Sequence, residues 1–392
     1  MTVTVERARS RTEVLAAAAA LAPQISDRAL EGEQGGRVPP DLLAAISDAG
    51  LLDLLLPESL GGLEMDPVTV LDTIREISRA DGSAGFAALS LNATFFVAWL
   101  EPEVARTILA ARPRAVATVF APLGKAEPRP DGGLLVNGRW PFNTGARNAS
   151  WFANGVMVQD GGKPAIVAPG RPDWRLVFVP ASDVDVLDTW HVAGLKGTGS
   201  NDVSVSDLVV PPEYTANPIF ERARHEGAIF NWSFFALMGV LFAGFPLGIA
   251  RRALDEFREL APNKSRGSRP LAEEQSVQIA YARAEAGLRS AEAYARDVLG
   301  TAWERTLAGD ETTMADRASV RLATGQAIRT GVDVVNTVFQ LAGGSALFDR
   351  SPIQRCWRDI NAGSHHGYFS EYHETRVGRS LFGLPVPDPW MM

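Results

Sequence analysis

Between two long helical tracts lies a segment of different character, Ala115 to Tyr214. It is built from short alternating or β-branched runs: RAVATVFA, LLVNGRWPF, WFANGVMVQ, RLVFVP and NDVSVSDLVVP. Alternation puts one face of a strand in a core and the other in water. Gly, Asp and Pro separate the runs, with DGG at 131 and again near 160, residues at which the backbone reverses with little strain. The reading is a compact antiparallel β domain. Set between helices, it makes the chain α+β with three units: an N-terminal helical domain over 1–114, the β domain over 115–215 and a C-terminal helical domain over 216–392.

The flanking tracts carry helical spacing. Residues 12–30 are Ala/Leu-rich, Pro39-Pro40 precede DLLAAISDAGLLDLLLP with a stop at Gly50, and a helix is expected from Pro67 to Arg79. The segment ADGSAGFAALSLNATFFVAWL is small and apolar on most sides, suited to close helix packing or to lining a cavity. From Glu273 to Leu307, Val277, Ala280, Ala284, Leu288, Ala291, Ala295 and Val298 recur at steps of three or four, opposite a charged face. Residues 313–342 repeat the pattern and stop at Gly343-Gly344, and Glu371 to Phe382 reads as a last helix. Residues 228–250 are long enough to cross a bilayer. Asn231, Ser233, Gly239, Gly244 and Pro246 interrupt that stretch, so a helix buried between domains or subunits is expected.

A net charge of −8 argues against nucleic acid or an anionic membrane as the main partner. Cys356 is the single cysteine, so no internal disulfide and no Cys/His metal spacing is possible, and a reducing cytoplasm fits. No metal site is expected.

The stretch SPIQRCWRDINAGSHHG, Ser351 to Gly367, concentrates the polar chemistry. Arg358-Asp359 would supply fixed charge, Trp357 a flat wall, and His366 a proton-exchanging group near neutral pH. His365 and His366 would point about 100° apart on a helix, and His373 would stand about 10 Å further along it. His191 reads as structural and His225 as solvated.

Several motifs resemble the acyl-CoA dehydrogenase superfamily of flavoproteins. GRWPFNTG at Gly138–Gly145 is similar to the family's strand against the flavin ring, with Phe142, Asn143 and Thr144 at its centre. TVFAPLG at Thr118–Gly124 resembles a second strand, with Phe120-Ala121 in place of Thr-Glu. GLKGTGSNDVSVSDLVVP at Gly194–Pro211 matches a longer and more specific pattern. Lys264 stands eleven residues before Gln275, the spacing of the family's phosphate-binding basic residue, and QLAGG at Gln340–Gly344 resembles its cofactor-contacting turn from an adjoining subunit. The resemblance implies a C-terminal four-helix bundle, a homotetramer, and a flavin site built from Phe120, Trp140, Phe142, Asn143, Thr144, Lys264, Gln340 and Gly344. It implies a cavity walled by Trp140, Phe142, Phe120 and the small-residue helix near Ser83–Thr94.

The dehydrogenases often place a catalytic Glu eight residues after the Asp of Arg-Asp; here that residue is Gly367, which cannot be a base. Asp255 and Glu256 are the remaining candidates for that role. Arg358, Asp359 and His366 instead resemble the two-component flavin monooxygenases of this fold. That branch implies reduced FMN or FAD supplied by a separate reductase, O2 as co-substrate, a C4a-hydroperoxyflavin, and a small aromatic, nitrogen- or sulfur-containing substrate. His366, Asn143 and Thr144 are then the catalytic candidates. The absence of a G-x-G-x-x-G nicotinamide motif after a strand agrees with a separate reductase. The alternatives are an acyl-CoA dehydrogenase with an unrecognised base, and a non-catalytic flavin-binding homologue.

Overall fold

The computed structural model describes residues 10–168 and 170–392. The N-terminal tract folds into α1 (Arg11–Asp27), α2 (Ala29–Gly35), α3 (Pro40–Asp48), α4 (Pro67–Ala80), α5 (Gly82–Leu91) and α6 (Pro102–Leu109). Local chemistry sets their ends. Asp66 Oδ1 accepts the N–H groups of Val68 and Thr69, both at 3.0 Å, and Pro67 fills the first helical position, where no N–H is needed. Asp81 closes α4 and caps α5 by accepting the Ala84 N–H at 2.9 Å.

The central sheet runs, from edge to edge, Thr215–Ala216, Trp174–Pro180, Trp151–Asp160, Val116–Pro128, Leu134–Asn143, Asn201–Val210 and Asp185–Val186. It is mixed, not antiparallel as expected: Val116–Pro128 pairs parallel with Trp151–Asp160. The chain turns from Val116–Pro128 into an antiparallel partner on one side, then crosses to the other side before continuing. Alternation looks the same in either orientation, so only the crossover decides it.

The C-terminal tract forms α7 (Phe234–Leu260), α8 (Gln275–Leu307), α9 (Met314–Ala342), α10 (Pro352–Ser364) and α11 (Tyr372–Leu381). The first four pack together, and α11 lies on α9. α7 is the hub, touching α4, α5, α8, α9 and α10; its most apolar stretch is 83% buried within the protein. Leu237, Val240, Leu241, Phe245, Leu247, Ile249, Leu254 and Phe257 are all buried, each worth about 1.5–3 kcal/mol of transfer free energy. α7 meets α4 backbone to backbone. A Cβ added at Gly244 or Gly248 would lie 2.4 Å from Leu71 O or 2.3 Å from Arg75 O.

Candidate active site

α10 ends at Ser364, so His366 and His373 do not share a helix as the spacing suggested. His366 is extended, at φ −63° and ψ 136°, and opens a short turn over Gly367–Phe369. That turn swings its ring onto Phe242 of α7 at 4.7 Å and beside Phe86 of α5 at 5.7 Å, with Phe369 at 6.4 Å. The small-residue helix therefore meets His366 through Phe86. His366 keeps accessible surface, so it lines an opening rather than filling core. Its hydrocarbon surroundings disfavour the imidazolium and lower its pKa from 6.5 to about 4. The open edge moderates that shift without changing its direction. Nδ1 accepts the Tyr368 N–H at 3.2 Å, which leaves the proton of the neutral ring on Nε2.

On the sheet side, register breaks present the motif residues. Between the pairs Trp140–Val203 and Asn143–Asn201 one strand carries an extra residue. Phe142 takes φ +61° there and stands 69% exposed, edge-on to Trp190 at 6.1 Å. Asn143 and Thr144 turn inward and are buried. Asn143 Nδ2 donates to Asn154 Oδ1 at 2.9 Å, while Asn143 Oδ1 is buried with no partner. Thr144 Oγ1 is 2.9 Å from Ser200 Oγ.

A second break after Val119 lifts Phe120 off the ladder. Its ring stacks on Phe234 of α7 at 4.0 Å, so Phe120 and His366 lie along the same helix. Trp140 departs from its expected place as a cavity wall. Its indole is buried in the sheet, donates to Gly155 O at 2.7 Å, and fills space that a Cβ at Gly124 or Gly138 would enter at 2.3 or 2.7 Å.

α10 joins the two sides. Asp359 Oδ1 accepts the Leu195 N–H at 2.6 Å, and Arg358 Nη1 donates to Ala193 O at 2.9 Å and pairs with Glu33 at 2.5 Å. Asp359 is not the fixed charge expected. Burial, then the like charge of Asp81, raises its pKa to about 7; burial raises Asp81 as well. Trp190 lines a polar cleft of about 430 Å³ with Glu33, Arg147, Lys196 and Asn201.

Lys264 and the Gln340–Gly344 turn come together in one chain. Lys264 Nζ donates to Ala342 O beside Gly343, and Gln340 and Gly344 are exposed. Asp255 is held by Arg79 at 2.9 Å and Arg251 at 3.1 Å, and Glu256 by Arg252 at 2.7 Å. These ion pairs occupy both candidate dehydrogenase bases. Cys356 is buried and its thiol pKa is pushed up to about 12, chiefly by burial. His191 is exposed, 3.9 Å from Asp188, rather than structural. His225 is half-buried, 3.3 Å from Ser59 Oγ, rather than solvated.

Three groups escaped the sequence reading. Phe86 and Phe242 sit in largely apolar runs and Phe369 in a polar one, so no pattern marks the three together. Thr198 and Ser200 did carry a signal, since both lie in the GTGSND motif. Asp81 lies in a segment read only as small and apolar.

Residues 10–107 match the acyl-CoA dehydrogenase N-terminal domain model and residues 240–371 the C-terminal domain model. The chain belongs to the acyl-CoA dehydrogenase family. Relatives to which it is similar are named as monooxygenases. It is 31% identical to indole-3-acetate monooxygenase of Pseudomonas putida over 378 residues, covering 94% of each chain. It is 28% identical to the flavin-dependent monooxygenase oxygenase subunit HsaA of Mycobacterium tuberculosis, covering 97% of this chain and 98% of the other. The crystal structure of the M. tuberculosis HsaA monooxygenase superposes with a TM-score of 0.89 at 27% identity, covering 97% of this chain and 100% of the other. The protein is a flavin-dependent monooxygenase of that family.

Proposed function

We propose that the protein takes reduced FMN or FAD from a separate reductase and oxygenates a small planar aromatic compound against the aromatic cluster at His366. The observation that carries this reading is the His366 ring set among Phe86, Phe242 and Phe369, with Nδ1 engaged by the Tyr368 N–H so that Nε2 is the nitrogen turned outward to a ligand. Rings of that kind accept a flat apolar substrate and keep water out. Relatives named for indole-3-acetate and resorcinol support the aromatic class.

The chain's residues fit a flavin. Exposed Phe142 offers a face for a planar ring, and the orphaned Asn143 Oδ1 is an acceptor in want of an N–H. Thr144 stands next to it and would face flavin N5. Lys264 and the open Gln340–Gly344 turn would hold phosphate, a role suited to a cation beside exposed backbone amides. Bound reduced flavin supplies the electrons that activate O2 and delivers one oxygen atom. His366 offers a hydrogen bond from Nε2 at neutral charge. Phe120 closes the α7 side. Exposed Leu347 and Phe348 support a homotetramer whose subunits meet near the Gln340–Gly344 turn. Buried Cys356 suits the cytoplasm.

The test mixes the protein anaerobically with reduced FMN, and separately with reduced FAD, then adds O2 in a stopped-flow spectrometer. Oxidised-flavin absorbance is expected to return more slowly than for free flavin. Return at the free-flavin rate with both cofactors, together with bleaching of bound FAD by an acyl-CoA, would replace this reading with a dehydrogenase.

A further inference from the structure

Three buried hydroxyls form a line behind Phe142. Thr198 Oγ1 lies 2.8 Å from Leu195 O and 2.7 Å from Ser200 Oγ, and Ser200 Oγ lies 2.9 Å from Thr144 Oγ1. Each hydroxyl has one proton to give, and a carbonyl can only accept. The Thr198 proton is therefore spent on Leu195 O. The next contact must use the Ser200 proton, and the last must use the Thr144 proton. The polarity of the line is set at its far end, and Thr144 Oγ1 is left with lone pairs and nothing to donate. Reversing the line would give up the bond to Leu195 O and leave the Thr144 proton without a partner inside the protein.

The anchoring carbonyl is itself held. Trp190 Nε1 donates to Leu195 O at 2.9 Å, and the Leu195 N–H is tied to Asp359 at 2.6 Å. Leu195 also sits at φ +55°, a conformation that its neighbours must maintain.

We propose that Thr198 and Ser200 are positioning residues that make Thr144 a hydrogen-bond acceptor, so that the site selects the flavin form bearing a proton on N5. This rests on the reading above that Thr144 faces flavin N5. Reduced flavin carries N5–H and is matched by an acceptor. Oxidised flavin presents a bare N5 lone pair, and two acceptors facing each other repel. An oxygenase fed by a separate reductase gains from this: it takes up the reduced form and lets the oxidised form go.

The experiment measures equilibrium binding of oxidised and anaerobically reduced flavin, FMN and FAD each, to the wild type and to Thr198→Val, Ser200→Ala, Thr198→Ser and Thr144→Val. The quantity of interest is Kd(oxidised)/Kd(reduced). Thr198→Val keeps the shape, and Leu195 O still has its bond from Trp190. Either Thr198→Val or Ser200→Ala frees the Thr144 proton, and the ratio should fall roughly three- to tenfold, the worth of one hydrogen bond. Thr198→Ser keeps the anchoring proton and should keep the wild-type ratio. A ratio altered by Thr144→Val but unmoved by Thr198→Val and Ser200→Ala would overturn the relay and leave the placement of Thr144 standing. No effect of Thr144→Val on either affinity would overturn the placement itself. Urea unfolding of each variant confirms that the comparison is between folded proteins.

Discussion

His366 lies over Phe242 with ring centroids 4.7 Å apart and planes 29° apart, and the same Phe242 lies parallel to Tyr368 at 4.9 Å. Phe242 thus supports both the residue proposed to act on oxygen and the phenol two positions later. A charged imidazolium on that stack would lose part of its hydration to the aromatic faces, which lowers its pKa from the ordinary histidine value.

A histidine neutral above about pH 4 contributes no protonation limb in the usual histidine range. Any His366 limb in coupled product formation should therefore lie below the ordinary histidine range, on the acid side of about pH 6.5. His366→Ala should retain flavin binding, lower coupled turnover on the order of 10²-fold and raise peroxide release per O2 consumed. A limb near pH 6.5 in the wild type that vanishes in His366→Ala would contradict the neutral assignment. Unchanged coupling would remove His366 from the chemistry.

Gly239 lets Tyr368 approach α7. A Cβ there would come 2.7 Å from Tyr368 Oη and 2.7 Å from Val320, and Tyr368 Oη donates to Phe235 O at 2.9 Å. Gly239→Ala should lose about 1–3 kcal/mol of stability as Tyr368 is displaced. Because His366 accepts the Tyr368 N–H, uncoupling should accompany the loss. Wild-type coupling in a destabilised variant would show that the two residues move independently.

Trp140 belongs to the sheet interior, so its loss should be felt in stability and not in cofactor binding. Trp140→Phe removes the N–H bonded to Gly155 O and leaves that buried carbonyl short of a partner, at a cost of about 1–3 kcal/mol. Urea unfolding and flavin titration separate the two effects. Weakened flavin affinity with unaltered stability would restore Trp140 to the cofactor wall.

Asp359 and Asp81 share a buried corner, and the pKa of Asp359 is raised to about 7. The folded state then holds more protons than the unfolded chain between about pH 4 and 7, so this pair's contribution to stability declines as pH rises through that window. Asp359→Asn keeps an oxygen for the Leu195 N–H and cannot ionise. It should match the wild type at about pH 5 and exceed it at about pH 8 by on the order of 1 kcal/mol. Chemical denaturation at the two pH values decides it; a variant less stable at both would mean that ionised Asp359 is the favoured form.

Much of this protein is written locally. Capping by Asp66 and Asp81, the alternation of the central segment, and the helical period of α8 and α9 depend on neighbours within a few residues, and they appear in the chain as they stand in the fold. The motif around Phe142 and Thr144 pointed to a flavin protein, and the spacing of Arg358, Asp359 and His366 to an oxygenase. Other features depend on which distant segments meet. Parallel pairing of Val116–Pro128 with Trp151–Asp160 follows from a crossover that strand alternation does not record. The indole of Trp140 turned inward because Gly124 and Gly138 leave room for it. The raised pKa of Asp359 comes from burial and from Asp81, and the lowered pKa of His366 from the packing of Phe86 and Phe242, residues far away in the chain. A titratable side chain takes its charge state from the solvation it loses and the partners it gains. Both are properties of the packed molecule, so the residue types were legible in sequence while their protonation and hydrogen-bond direction were decided only in three dimensions.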